Sequence, residues 1–320
     1  MKAASKTVDP NKSARCFTIF QVRLHYREDA ISESCEAARQ TYQKIASELN
    51  PALLRPCSAS SYGCFFAFSW PDGDIERVKL AAEIIETLWI YDDVIEALPH
   101  CEALQEHQNI DQVLGFTTLE KKPNLSVMKN MLAGVFESFA ALMLLLDKKG
   151  ALKALNDLKA YIRGYDSKSE PFNNIDDYIE FRGLNVGFGI MESFMKWSLD
   201  INLTDAELEL TREFYRSSAH IMALTNDFYS WESERNSEED GRKWNAVPIA
   251  MRQYCLSEEA ARLFIKNMII EREERARLIG VGLKLVGSET VGMYVEAVKM
   301  MLGGNSFWSS VCPRYNLGYV

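Results

Sequence analysis

Apolar residues return at three- and four-residue steps through nearly the whole chain, and that periodicity restricts it to helices packed on helices. Between Ile75 and Ile95 the recurring set is Val78, Ala81, Ala82, Ile85, Leu88 and Trp89. Asp74 is placed to cap the start of this helix, and Pro99 to stop it soon after Glu96. A second long helix opens at Thr204, where Thr204 and Glu207 spell a capping box; it carries Leu208, Phe214, Met222 and Phe228 and runs to about Arg235. A third opens near Asn174 and reads through Tyr178 and Phe181 until Gly183, Gly187 and Gly189 interrupt it. Each glycine costs a helix roughly 1 kcal/mol relative to alanine, so the cluster predicts a break or a close backbone approach. Further helices are expected over Ser32 to Leu49, Val127 to Lys149, Leu152 to Tyr161, Glu258 to Leu285 and Ser288 to Met301. Alternating runs are nearly absent, Cys64 to Trp70 being the one short β-like stretch, and nothing repeats at a fixed period. The expected fold class is all-α.

The chain has 320 residues, 47% hydrophobic, with no linker-like stretch or composition shift to divide it. One domain over 16–320 is expected, preceded by a loose segment over 1–15. The formal charge of -9 without a basic stripe argues against nucleic acid as a partner. It also means that an anionic ligand needs divalent cations to mediate its binding. Seven scattered cysteines, an odd number with no CxxC pair, and the lack of a signal-peptide core point to reduced thiols and a cytoplasmic setting. The greasiest stretch, Ala140 to Leu146, is too short to span a bilayer.

Two polar motifs sit near the ends of the first two helices. In Tyr91-Asp92-Asp93-Val94-Ile95-Glu96, Asp92 and Glu96 share a face one turn apart, with Asp93 beside them. Carboxylates crowded at a helix C-terminus oppose the helix dipole, which a cation would relieve. Hard oxygen ligands suit magnesium. In Asn226-Asp227-Phe228-Tyr229-Ser230-Trp231-Glu232-Ser233-Glu234, Asn226, Ser230 and Glu234 form a ladder spaced by four, an amide oxygen, a hydroxyl and a carboxylate. The same face continues down through Met222 and Ala219, so one helix offers a polar rim above an apolar wall.

Together these motifs resemble the D-D-x-x-D/E and N-S-E motifs of class I terpene cyclases. Arg182, in Asp176-Asp177-Tyr178-Ile179-Glu180-Phe181-Arg182, precedes the second motif as that family's pyrophosphate-sensing arginine does. The tail, Gly304-Asn305-Ser306-Phe307-Trp308-Ser309 leading to Cys312-Pro313-Arg314-Tyr315-Asn316, is similar to the cyclase domain of fungal bifunctional terpene synthases. The resemblance spans Ser58 to Asn316. It implies a Mg2+-dependent lyase with a three-ion cluster held by Asp92, Asp93, Glu96, Asn226, Ser230 and Glu234. Asp92 is the chief ligand of the first motif, and Asp93 or Glu96 instead orients water or accepts from Arg314.

Arg182, Asn226, Arg235, Arg314 and Tyr315 are expected to bind diphosphate, and Phe65, Phe66, Trp89, Val186, Phe188, Met222 and Trp308 to line an apolar pocket. The run Arg235 to Lys243 is expected to act as a lid. Two positions depart from the pattern: Ser233 stands where many relatives carry lysine, and Asn185 where many carry aspartate. The implied reaction is ionisation of a linear prenyl diphosphate, geranylgeranyl or alternatively geranylfarnesyl diphosphate, followed by carbocation cyclisation. A chain-elongating prenyltransferase would need a second aspartate-rich motif in place of Asn226 to Glu234; a non-catalytic helical scaffold that has merely kept acidic helix ends is the remaining alternative, and its melting temperature would not respond to pyrophosphate with magnesium. The relatives usually continue into a prenyltransferase domain that this sequence does not include; an excised cyclase domain, its substrate normally made by that partner domain, is the favoured expectation, with a natural single-domain enzyme as the alternative.

Overall fold

The computed structural model describes residues 5–49, 58–96, 140–164, 172–235 and 245–316, apart from the side chains of 42–49, 94–96 and 163–164. It is built from α1 (Glu28–Leu49), α2 (Phe65–Ser69), α3 (Ile75–Glu96), α4 (Lys148–Gly164), α5 (Ile175–Asn185), α6 (Phe188–Leu199), α7 (Asp205–Glu234), α8 (Ala246–Tyr254), α9 (Glu258–Val286) and α10 (Glu289–Val311). A short helical stretch over 140–146 precedes α4. The only sheet among the described residues is a two-stranded antiparallel ribbon, β1 (Lys6–Val8) on β2 (Val22–Leu24), with Thr7 opposite Arg23. The all-α expectation is met.

Local chemistry sets the helix ends. Asp74 Oδ1 accepts from the Glu76 and Arg77 amides at the start of α3. The Thr204–Glu207 capping box closes as expected and fixes the start of α7. Asn174 caps α5, and the predicted break falls at Val186–Gly187, where Gly187 takes φ +83, a conformation that costs any residue with a Cβ. The other two glycines of that cluster lie inside helices. A Cβ on Gly183 would stand 2.9 Å from His220, so this glycine lets α5 press against α7.

Several expectations need correction. Cys64 to Trp70 is not a strand: it contains α2, every residue of which is buried. A short run that is apolar but for Ser69 carries no periodicity, so it reads equally as buried strand or buried helix. The last helix does not stop at Met301. Gly303 and Gly304 continue it because a Cβ on Gly303 would stand 2.6 Å from the Gln21 carbonyl oxygen, and one on Gly304 would strike that of Phe68. Nor is the opening segment loose over its described part: β1 pairs with β2, the Arg15 guanidinium donates to Asn316, and Tyr229 donates to the Arg15 carbonyl at 2.8 Å. Residues 127–139 of the expected Val127 helix, Pro99, and positions 236–244 of the expected lid lie outside the described residues.

The core is one continuous apolar cluster running from Phe20 to Cys312. α1 packs on α3, α4 on α6, and α7 lies at the centre, against α5, α9 and α10. The last turns of α3 and α7 and the residues just past α10 therefore meet at one end of the bundle.

Candidate active site

The two motifs are joined by neighbouring residues of the C-terminal turn. Arg314 places its guanidinium on Asp93, with Nη2 at 2.8 Å from Oδ1 and Nη1 at 3.3 Å from Oδ2. The next residue, Tyr315, accepts from the Asn226 amide at 2.8 Å. Cys312 and Pro313 end α10 and turn the chain so that Arg314 and Tyr315 face the two motifs. Burial works against the Arg314 charge, but Asp93, with Tyr315 and Asp92 nearby, more than offsets it and holds the pKa above the ordinary arginine value. Of the two roles open to Asp93, this geometry selects acceptance from Arg314. Asp92, half-buried beside it, is close enough to raise the Tyr161 phenol, whose burial already pushes its pKa up. Glu96 closes α3, but its side chain lies outside the described residues.

On the facing side Arg182 reaches three acceptors at once: Nε to Asp227 at 3.1 Å, Nη1 to Asn185 Oδ1 at 2.7 Å and Nη2 to Asn226 Oδ1 at 2.8 Å. Asn185 thus couples to Arg182 as a neutral partner. Tyr161 donates to the Asn185 carbonyl at 3.1 Å, which ties α4 to the helix break.

Below the rim, Asp227 is fully buried and accepts from Tyr178 Oη, Arg182 Nε and the Ala246 amide, the last at 2.8 Å. Asn245 donates to the Asp227 carbonyl at 2.9 Å and to Glu234 at 3.0 Å. Burial, and next Asp227, push the Glu234 carboxyl above the usual carboxylate range. These contacts make Asp227, Asn245, Tyr161 and Tyr178 part of the site. Asp227 stood within a motif without a role, and the other three carry no local signal, since their partners are distant in sequence.

The second motif has the donor set expected of a hard-cation site. Asn226, Ser230 and Glu234 follow one another up one face of α7. The Ser230 hydroxyl is buried beside Glu234 yet has no hydrogen bond of ordinary geometry among the described residues. An orphaned hydroxyl between an amide oxygen and a buried carboxylate fits a magnesium-like ion, whose charge would relieve both. The described residues contain no cluster of three His, Cys, Asp or Glu side chains, so this donor set is of mixed chemistry.

Beneath the mouth lies an aromatic wall. Trp308 packs on Phe65 at 4.9 Å, Trp89 at 5.8 Å and Tyr315 at 5.8 Å, and its indole donates to the Ser58 carbonyl at 2.7 Å. Phe66 lies 5.6 Å from Trp89, and the Arg314 guanidinium stands 5.6 Å over the Trp89 ring. Phe188 and Met222 are buried on α6 and α7, with Val186 half-buried at the break. Arg235 alone of the expected diphosphate ligands turns elsewhere, to Glu258 at 3.5 Å.

The model of terpene synthase family 2, C-terminal metal binding, matches residues 83–275, more than half of the chain and all of both motifs. The chain is similar to the sesterterpene synthase btcA of Colletotrichum orbiculare, 24% identical over 95% of this chain and 44% of the relative. It is also similar to the aristolochene synthase of Aspergillus terreus, 23% identical over 98% of this chain and 96% of that one. It spans less than half the length of the sesterterpene and bifunctional relatives it matches. Among solved structures, aristolochene synthase from Penicillium roqueforti superposes with a TM-score of 0.74 at 18% identity, covering 92% of this chain and 99% of that one, which shows the shared helical fold. The motif geometry, the matched span and the fold agree, and the chain belongs to terpene synthase family 2, C-terminal metal binding.

Proposed function

We propose that this chain ionises a linear prenyl diphosphate at the mouth between Asp92 and Glu234 and cyclises the resulting carbocation in the apolar interior below. The observation that carries this reading is the Arg314–Tyr315 pair, which touches Asp93 of one motif and Asn226 of the other. Magnesium ions, three of them with diphosphate bound, would be held by Asp92 and Glu96 on one side and by Asn226, Ser230 and Glu234 on the other. When bound they supply the positive charge that makes diphosphate a leaving group.

The chain's own residues do the rest. Arg182 is held protonated: burial disfavours its charge, but Asp227, Tyr178 and Glu234 more than offset that. Its planar fork matches phosphate oxygens, and Arg314 and Tyr315 add donors from the opposite side. These preorganised donors stabilise the charge that develops on the leaving group. Phe65, Phe66, Trp89 and Trp308 exclude water and present aromatic faces, each worth about 0.5–2 kcal/mol to a desolvated cation.

The substrate we favour is geranylgeranyl diphosphate. A geranylfarnesyl substrate is the second reading, supported by the sesterterpene synthases among the relatives. Residues 16–320 would form the cyclase unit, and a prenyltransferase domain, as in the bifunctional relatives, would supply its substrate. Incubating the chain and magnesium with fifteen-, twenty- and twenty-five-carbon diphosphates and analysing the extracts by gas chromatography tests this. A cyclic product from the twenty-carbon substrate is expected. A product from the twenty-five-carbon substrate alone selects the second reading, and none from any substrate overturns both.

A further inference from the structure

Away from the two motifs the bundle carries a buried polar set that the chemistry at the mouth does not use. On α6, Glu192 and Lys196 form an ion pair at 2.6 Å, with 3% and 8% of their surfaces exposed. Ser193 donates to Asp157 of α4 at 2.6 Å. Tyr294 of α10 is buried with its hydroxyl against the Glu192 carboxyl. Tyr215 of α7 packs edge-on to Phe188 at 5.1 Å, and a Cβ on Gly189 would stand 2.9 Å from its hydroxyl, so glycine there leaves the phenol its place. A buried ion pair costs desolvation and is poor evidence of a stability role. A bundle that needed only packing at this depth would be better served by apolar side chains.

These residues lie on the same helix stripes as the groups of the mouth. Tyr215 is three turns, about 16 Å, below Asn226, with Met222 and Ala219 between them. Glu192 lies one turn from Phe188, and Tyr294 is on the α10 face that carries Met301 and Trp308. Tyr215 is half-buried, between buried Phe214 and exposed Arg216, and Gly189 is half-buried between buried Phe188 and Ile190.

We propose that Tyr215, backed by Glu192 and Asp157, takes the proton that ends the carbocation cascade. The proposal rests on the cyclase reading above. A C–H bond beside the cationic carbon breaks, its electron pair becomes the second bond of an alkene, and the proton goes to the Tyr215 oxygen. The phenol's own proton passes to a neighbouring carboxylate and returns to solvent as the product leaves. Burial, then Glu192 and Asp157, push the Tyr215 pKa up to about 12, so the group waits as a neutral phenol, a poor trap for earlier cations. Burial pushes the Glu192 carboxyl above its ordinary value, and Lys196, at 2.6 Å, offsets that only in part.

The test compares the unaltered chain with Tyr215→Phe, and with Asp157→Asn should the first variant not fold. Pyrophosphate release and the terpene profile are measured on geranylgeranyl diphosphate with magnesium. The share of the unaltered chain's main product, per pyrophosphate released, is expected to fall about ten-fold, replaced by alkene isomers or alcohols. An unchanged profile per pyrophosphate overturns the proposal and leaves the proton to another base, such as the diphosphate at the mouth. A folded variant that no longer releases pyrophosphate also overturns it, because the group is then needed before the last step. No pyrophosphate from the unaltered chain on any prenyl diphosphate overturns the cyclase reading itself, a separate and distinguishable result.

Discussion

Arg182 donates to Asp227, Asn185 and Asn226 at once, and that fork geometry is what a compact ammonium cannot reproduce. Arg182→Lys keeps the charge but loses two of the three contacts, so kcat/KM for prenyl diphosphate is expected to fall about 10²-fold or more in steady-state assays, with the fold intact by circular dichroism. A fall of less than three-fold would remove Arg182 from the machinery. At this scale the sequence was informative wherever partners lie on one helix. The four-residue spacing of Asn226, Ser230 and Glu234 marks their shared face in the sequence itself. Asp227 was invisible by the same logic: its side chain turns off that face toward Tyr178 and Ala246, on other elements. Asn245 lies beyond the expected lid and carried no signal at all.

Between elements, two glycines fix how the site is assembled. Gly187, at φ +83, breaks α5 from α6 and lets Tyr161 hold the Asn185 carbonyl. Gly187→Ala is expected to cost about 1–2 kcal/mol in urea unfolding, from the left-handed conformation alone. Its effect on turnover should be larger, because Arg182 and Val186 flank the break. Gly304 lets α10 lie directly on α2, where a Cβ would strike backbone that cannot yield. That contact sets Trp308 against Phe65, so Gly304→Ala should destabilise more than Gly187→Ala in the same measurement. The glycine cluster of Gly183, Gly187 and Gly189 was legible as a break, and the capping box as a helix start, because both act through local backbone. The helix expected over Ser288 to Met301 came out short because the surfaces that Gly303 and Gly304 approach, Gln21 and Phe68, are hundreds of residues away in sequence. The α2 run was misread for a related reason, since burial on all sides erases periodicity.

Across the whole molecule, the N-terminal segment around Arg15 to Ile19 joins the last turns of α7, the middle of α9 and the turn after α10. Glu273 on α9 is buried and accepts from Thr18 Oγ1 at 2.7 Å and the Ile19 amide at 2.8 Å, and burial pushes its pKa up to about 7. A carboxyl raised above its unfolded value of 4.5 binds its proton more tightly in the native state. Its favourable contribution is therefore complete below pH 4.5 and is lost as pH rises through about 7. The loss is of order 3 kcal/mol by pH 8. Glu273→Gln should flatten the decline in unfolding free energy between pH 5 and 8, and an unchanged slope would contradict this assignment. No helix among the described residues is long and apolar enough to cross a membrane. Two motifs on separate helices are proposed to form one cation-dependent mouth that releases diphosphate. Pyrophosphate release from geranylgeranyl diphosphate, followed with magnesium and then with excess chelator, tests it most directly. The account predicts release that stops on chelation and that drops about 10²-fold or more in either Asp92→Asn or Glu234→Gln. Release that persists without magnesium, or survives both substitutions, would contradict it.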